Sequence, residues 1–574
     1  MARPKKKNKN SGRQAEKPYQ PEFEKDALYF VPLGGSEQFG VNMNVYISNG
    51  KFLVVDCGLG FADERFPGID LVLPDPEFLE RNKDKLQGLV ITHAHEDHIG
   101  AVAYLWKRLQ CPIYTTKFTA TVLREKLNDA GVRNVPVHIV KQNAQVDLGP
   151  FTLTFIPVSH SVPDTCSLLI ETPEGNVLHS GDWNLDPHPV VGQKVDEAHF
   201  KAAGKKGIIA YVGDSTNAEV PGRAGSEAEV SKGLEQEFRK CKGRIAVTIF
   251  SSNIGRIISI VHAAKKCGRQ VAVVGRSLHK MIDAAMECGY LCDVPHFLSE
   301  EDMEDARSEN VVMIVTGSQG EFHSALARIA CGEHRSVKLG KGDTVIFSAR
   351  SIPGNERAVN DVKNNLSAGK VQIITPSDTE NTIHVSGHPC RDEIAEMYQW
   401  VKPQTVIPVH GERTQLEAHA AFARQCQIGH VIVPSNGSII RLAPGKPETV
   451  DHIPTGLLAV DQKRIISIDH GSIVDRRKLQ FTGAVHLSLV LDRNGNVMSE
   501  PKLDTVGLID AELPGELKIE DALHDEVLDI LDDMSDADLK DNHFVEEELR
   551  IGIRRFFVHT LGFKPKATVH VLRV

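Results

Sequence analysis

Cysteine is scarce, with ten in 574 residues and no Cys-x-x-Cys pair among them. Thiols so few and scattered argue against a disulfide framework and point to a reduced, cytoplasmic setting. Long hydrophobic runs are also missing. No stretch approaches the roughly 20 apolar residues that cross a bilayer, and the opening MARPKKKNKNSGRQAEKPYQ has charge without an apolar core behind it, so neither a membrane span nor a secretory signal is expected. Nor is there an excess of positive charge. Lys and Arg number 66 against 76 Asp and Glu, a net charge of −10, which taken alone argues against a nucleic-acid partner. The charge is unevenly placed, however: residues 1–20 carry seven basic residues and one acid, whereas 510–549 carry sixteen acids and two bases. The overall sum therefore says little about any one surface.

At 41% hydrophobic residues the chain reads as an ordinary globular protein of two to four domains. Residues 1–22 are too polar to bury anything and are expected to form a disordered basic tail. From Tyr29 short β-type runs (VNMNVYIS, KFLVVDCG, LQGLVITH, FTLTFIPVSH, NVLHSGD) predict a strand-dominated sheet domain over 23–213. The rhythm then changes to alternating strands and helices (RIAVTIF, IISIVHAAKKC, QVAVVGRS, MIDAAMECG, NVVMIVTGSQG), which predicts an inserted parallel-sheet domain over 214–365. The first style resumes over 366–445. APGKPETVDHIPTG suggests a linker at 446–462, and 463–574 reads as a small C-terminal α/β domain. Its acidic stretch ALHDEVLDILDDM has the alternation of an amphipathic helix that could pack on another subunit.

The strongest chemical signal is Thr92-His93-Ala94-His95-Glu96-Asp97-His98, directly after the apolar strand LQGLVI. In an extended turn His93 and His95 project to one side, while Asp97 and His98 can reach a second point a few ångströms away. Three imidazoles and a carboxylate at this spacing predict a binuclear divalent-metal site. Further ligand types stand where strands end: His160 after FTLTFIPVS, Asp182 after NVLHSG and His410 after TVIPV. A carboxylate such as Asp182 can bridge two cations lying about 3.5–4 Å apart. Asp56, in FLVVDCG, is another strand-end acid, placed to orient the ligand turn.

His-x-His-x-Asp-His after a strand, with a preceding Asp, a later His and a Gly-Asp, resembles the signature of the metallo-β-lactamase fold. The insertion narrows the likeness. GDSTNAEVPGRAGSE (213–227), HVSGHPC (384–390) and IPVHGE (407–412) resemble motifs A, B and C of the β-CASP nucleases. FSSNIGRI (250–257), VVGRS (273–277), TGSQGE (316–321) and FSARSIPGNE (347–356) are similar to the ribonuclease J subgroup. The resemblance covers roughly residues 25–574. It implies an α/β architecture: a metallo-β-lactamase αββα sandwich in two parts, 23–213 and 366–445, with an inserted β-CASP domain and a C-terminal oligomerisation domain. It further implies that His93, His95 and His160 hold one metal and Asp97, His98 and His410 the other, with Asp182 bridging. Two divalent ions per subunit, Zn or Mn, are expected. Asp214 becomes the acid of motif A and His388 the histidine of motif B, near the scissile phosphate, so the expected catalytic residues are Asp97, His388, Asp214 and Asp56. Departures are Trp183-Asn184 where many relatives read Phe-Lys, an IGR without the His often preceding its Arg, and His323 where Met is common.

A phosphodiester hydrolase needs donors at the developing oxyanion and a proton source for the leaving 3′-oxygen. Ser386 and Gly387 form a small approach to His388 through which backbone N–H groups can near an anion. With Arg276, Ser277, Arg350 and Asn253, at strand ends of the insertion, they form the expected phosphate-binding group. The expected function is a bacterial, metal-dependent ribonuclease of RNA maturation and decay. The resemblance implies action 5′-to-3′ on 5′-monophosphorylated single-stranded RNA, with internal cleavage as a second capacity. The expected assembly is a homodimer or homotetramer through the C-terminal and β-CASP domains, with a degradation complex or the ribosome as candidate partners and no membrane. Two rivals are a β-CASP nuclease for DNA or pre-mRNA ends, disfavoured by the strings in 250–356, and a non-catalytic RNA-binding scaffold, which would have no need of seven intact ligands.

Overall fold

The computed structural model describes residues 19–352, 354–510 and 514–574; most of the basic tail expected over 1–22 lies outside them. Two mixed sheets form the frame of the larger unit. One runs in the order Glu448–His452, Ser438–Ala443, Leu28–Gly34, Met43–Ser48, Lys51–Val55, Leu86–Val90, Ile113–Thr115, Val137–Ile139. The other runs Gln145–Leu148, Phe151–Pro157, Cys166–Thr172, Gly175–His179, Ile208–Asp214, Thr405–Val409, His430–Val431. Alternate residues of their strands meet face to face: Phe30, Leu53 and Val90 from the first share one buried cluster with Phe155, Leu168, Val212 and Ile407 from the second. The intervening residues of the second sheet, Leu169, Leu178, Tyr211 and Val406, face outward. There they pack against Phe200, Ile394, Met397 and Ala423 of the helices Glu197–Lys205, Arg391–Val401 and Arg413–Gln425. A strand buried on both faces has no polar alternation, which is why IIAYVGD and TVIPV read as continuous apolar runs.

The insertion is a five-stranded parallel sheet ordered Gln270–Val274, Val311–Val315, Ile245–Thr248, Thr344–Phe347, Gln372–Ile374. Its strands divide by parity between two cores, Val247, Val273, Val312 and Ile346 on one face and Ala246, Ala272, Met313 and Val345 on the other. This matches the alternating strand–helix rhythm of the sequence. Being parallel, the sheet gathers every loop after a strand at one edge.

A second unit comprises Leu457–Val574 together with Phe61–Val72, where Ile69 packs with Ala459 and Ile473. Sequence order assigned 61–72 to the first domain; tertiary packing assigns it here. The linker expected over 446–462 also differs, since Glu448–His452 pairs with Ser438–Ala443 and Leu457–Asp461 with Arg464–Ser467. The Pro and Gly residues bound these short strands instead of abolishing them. In the three-stranded sheet, Ala484–Leu491 lies antiparallel to Lys502–Val506 and parallel to Lys566–Arg573. The acidic helix Pro514–Asp532 sets Leu523, Val527 and Leu531 against Val485, Leu487 and Leu489 of this sheet. Its apolar stripe is thus covered within its own unit, and the expectation that the stripe packs on another subunit is corrected. No described helix is long and apolar enough to cross a membrane.

Candidate metal centre and active site

The site lies where strands of both sheets of the sandwich stop. After Leu86–Val90 the chain enters Thr92–His98 and a short helix, Glu96–Ile99. Asp56 stands at the end of the neighbouring strand in a left-handed conformation (φ 64°), and His410, after Thr405–Val409, has φ 58°. The positive φ turns each chain sharply at its strand end and aims the side chain into the site. Asp56 is fully buried, and its Oδ1 accepts from the Thr92 backbone N–H (2.8 Å) while Oδ2 bonds His98 Nδ1 (2.8 Å). It therefore braces the turn and one imidazole from behind.

Four ligand-type side chains converge from His93, His95, His160 and Asp182, and four from Asp97, His98, Asp182 and His410. Within each group one atom per residue lies within 4.8 Å of every other. In the first group His93 Nε2 and His160 Nε2 each approach His95 Nδ1 at 3.1 Å. In the second, Asp97 Oδ2 lies 2.9 Å from His410 Nε2 and 3.4 Å from His98 Nε2. Asp182 belongs to both groups. Its Oδ2 lies 3.3 Å from His98, 3.6 Å from His93 and 3.9 Å from His160, and neither of its buried oxygens has a hydrogen-bond partner. A buried carboxylate without partners is costly. One ringed by imidazole nitrogens at 3.3–3.9 Å, close enough to share a cation, fits a metal bridge.

The electrostatics agree. Burial, joined by the neighbouring rings, keeps His93 neutral, pushes His95 down to about 3 and His160 down to about 4, and neutral imidazole is the ligating form. At His98 and His410 burial also opposes charge, but Asp182 and the other carboxylates outweigh it and raise both rings well above the usual range. The cluster thus gathers positive charge around its acids.

A third group, Asp182, Asp214, His388 and His410, adjoins these two. His388 Nδ1 bonds Asp214 Oδ2 at 2.8 Å, and its ring stacks on His410 (5.6 Å, 20°). Asp214 ends Ile208–Asp214, which is in parallel register with Thr405–Val409, so Asp214 and His410 share one sheet end. Gly387 ties this loop to the ligands, its carbonyl accepting from His160 Nδ1 at 2.7 Å. A methyl at Gly387 would lie 2.7 Å from the His160 ring. Gly387→Ala is accordingly expected to displace His160 and lower metal affinity by about 10–100-fold, the range for disturbing groups that orient a ligand; competition with a chelating dye measures this.

Of the expected phosphate-binding residues, Asn253, Ser386 and Gly387 line one small cleft, open to solvent, beside His160 and Asn184. Asn253 also caps its own helix, its Oδ1 accepting from the Arg256 N–H at 2.8 Å. Arg276 and Ser277 begin the helix Arg276–Cys288, and Arg350 is exposed beyond Thr344–Phe347. None of these three lines the cleft. The sequence reading missed the residues that hold the His388 loop. Asn184 donates to the Ser386 carbonyl (3.1 Å), and Asn217 to Ser386 Oγ (2.8 Å) and the His388 carbonyl (3.1 Å). Fully buried Arg256 grips Glu227 (2.7 and 3.0 Å) and Ser348, and reaches His384 and the Val385 carbonyl. Arg256 and Asn217 stand inside the motif strings already noted, but nothing in a string says which way a side chain turns.

Sandwich, parallel insertion and convergent histidines define a metallo-hydrolase of the metallo-β-lactamase fold carrying a β-CASP domain. Residues 37–220 match the family model of the metallo-beta-lactamase superfamily, 242–366 that of the ribonuclease J beta-CASP domain, 378–434 that of the Zn-dependent metallo-hydrolase RNA specificity domain, and 471–574 that of the ribonuclease J C-terminal domain. Ribonuclease J of Sinorhizobium meliloti is 41% identical over 554 residues, covering 96% of this chain and 98% of its own. Ribonuclease J of Thermus thermophilus is 35% identical over 470 residues, covering 80% and 82%. The chain belongs to the ribonuclease J family and is a metal-dependent ribonuclease. Among solved structures, a protein of unknown function from Enterococcus faecalis shares the fold, with TM-score 0.52 and 17% identity over 72% of this chain and all of the other.

Proposed function

We propose that this ribonuclease is a cytoplasmic 5′-to-3′ exonuclease on 5′-monophosphorylated single-stranded RNA, with internal cleavage as a second capacity, and that it works with two divalent ions, Zn or Mn. The observation that carries the reading is Asp182, both of whose buried oxygens lack partners at the meeting point of two ligand groups. His93, His95 and His160 would hold one ion, Asp97, His98 and His410 the other, with Asp182 shared. Bound there, divalent cations supply Lewis acidity, which acidifies water and neutralises phosphoryl charge.

The remaining work falls to the chain itself. Asp214 fixes the ring of His388 through Nδ1 and, with Asp182, favours its protonated form against burial. His388 then gives a proton to the departing 3′-oxygen. Ser386, Gly387 and Asn253 offer donors to the terminal phosphate in the cleft beside His160. Arg276, Ser277 and Arg350 stand outside this cleft, at the carboxyl edge of the inserted sheet, where they would meet the RNA chain beyond the terminal phosphate. Asp186 and Glu227 are among the residues lining the cleft, and their negative charge suits one phosphate better than a triphosphate.

Self-association as a dimer or tetramer is supported by the C-terminal sheet. Both its outer strands are edges, with Val506, Leu572 and Val574 exposed. A degradation complex or the ribosome would then be reached through the assembled enzyme.

The test uses one labelled RNA bearing a 5′-monophosphate, triphosphate or hydroxyl, with and without chelator. Mononucleotides released first from the monophosphate form, and only without chelator, are expected. Equal cleavage of all three ends would overturn the 5′-end reading.

A further inference from the structure

At the carboxyl edge of the inserted sheet the loop 316–324 follows Val311–Val315 and ends at the helix Ala325–Ala330. Its stem is buried and pinned. Gln319, 5% exposed, donates to the Arg350 carbonyl at 3.0 Å and accepts from the Ile352 N–H at 2.7 Å. Gly320 (φ +75°) lies so close to the helix Glu356–Ala368 that a methyl there would come within 2.4 Å of Ala358. Ser324 closes the loop by capping the next helix.

On this fixed stem Phe322 is 82% exposed, the highest value of any large apolar side chain among the described residues. Water should drive such a ring inward, yet the anchors on either side hold it out. His323 stands edge-on to it (5.0 Å, 74°), supporting the ring from one side. Its chain neighbours Glu321 and His323 are polar and exposed, and Ile352, whose N–H bonds Gln319, is the other exposed apolar residue tied to this loop. The apolar surface these residues offer is closer to the size of a single base than to the contiguous patch of a protein interface.

Position supplies the occupant. Val311–Val315 and Thr344–Phe347 flank Ile245–Thr248 in parallel register, so the Phe322, Arg350 and Asn253 loops share one edge, outside the strand ends where open α/β sheets bind ligands. Asn253 lines the cleft with Ser386 and Gly387, and the exposed Arg350 is tied to the Phe322 loop through its carbonyl, which accepts from Gln319 at 3.0 Å. A strand leaving that cleft along this edge meets a cation for its backbone and an open π-face for a base, the combination that binds single-stranded nucleic acid.

We propose that Phe322 is a stacking platform for one base of single-stranded RNA, forming a nucleotide subsite beyond the cleft at Ser386 and Gly387. The inference rests on the reading of single-stranded RNA as the substrate.

The test compares full-length wild type, Phe322→Ala, Phe322→Leu and Phe322→Trp with metal present, on phosphorothioate RNA that resists hydrolysis. Oligonucleotides with a 5′-monophosphate carry 2-aminopurine at one position after another. Wild type and Phe322→Trp are expected to quench the fluorophore at one particular position. Phe322→Ala and Phe322→Leu should lose that quenching and bind about 5- to 150-fold more weakly, the range for one lost base–aromatic stack. Thermal melting of each variant verifies that it is folded. Binding and quenching by Phe322→Ala within twofold of wild type would overturn the subsite. Full affinity in Phe322→Leu would equally overturn it, since it would make the contact merely apolar. Failure of wild type to bind RNA at all would overturn the substrate reading and this inference together.

Discussion

Asp97→Ala is expected to abolish RNA hydrolysis while leaving the fold and RNA binding in place. The carboxylate lies 2.9 Å from His410 Nε2 and 3.4 Å from His98 Nε2, so in the proposed arrangement its removal takes one ligand and the balancing charge from the second group. The turn itself survives, because Asn42 holds the Asp97 backbone carbonyl through both its main-chain N–H (3.2 Å) and its side-chain amide (2.9 Å). Metal content should fall by one ion per chain in elemental analysis, with no detectable product in a labelled-RNA assay and retained binding by anisotropy. Near-normal cleavage in this variant would sink the binuclear assignment. The same cluster sets a pH dependence. The carboxylates raise the pKa of His98 and His410, so both rings keep their protons to higher pH, and a cation must displace those protons to bind. Metal affinity is therefore expected to rise with pH and proton release to accompany binding, as titration in buffers of differing ionisation enthalpy would record.

His388→Ala is expected to lower kcat by roughly 10²–10⁴-fold, the range for a positioned proton donor, with unchanged metal content. Its Nδ1 is engaged by Asp214 at 2.8 Å, and the loop around it is anchored independently by Asn217, Asn184 and Gly387. Loss of the imidazole should therefore remove chemistry without unravelling the ligands. The result that matters is the comparison of two readouts. A fall in bound metal equal to the fall in rate would make His388 a ligand, within the group it forms with Asp182, Asp214 and His410. Aspartate-to-asparagine substitution at Asp214 is less clean, since its Oδ1 also lies 3.4 Å from His410 Nδ1.

Much of this site was legible in the chain. His93, His95, Asp97 and His98 fall within six residues, where one turn dictates their relative positions whatever the rest of the protein does. The inserted sheet was legible for a similar reason: each strand and helix announces itself by local periodicity. Sequence alone was weaker where contact is made across distance. His410 meets Asp97 over 313 residues, and only the parallel register of Ile208–Asp214 with Thr405–Val409 brings Asp214 beside it. The phosphate-binding group shows the limit most plainly. Asn253, Ser386 and Gly387 share a cleft, whereas Arg276 and Ser277 begin a helix and Arg350 lies in a loop elsewhere on the same sheet edge. A motif places a residue at a strand end but does not say how far across the edge it stands.

Composition, strand-end motifs and alternating periodicity thus determined by themselves the class of chemistry, the ligand types and the existence of a parallel insertion, because each depends on residues near one another along the chain. The pairing of distant strands decided the rest: which carboxylate stands unpartnered between two imidazole groups, that Arg256 is buried behind the His388 loop, and that Phe61–Val72 joins the C-terminal unit. Burial and hydrogen-bond satisfaction are properties of what folds over a residue, and that covering comes from segments the local sequence does not name.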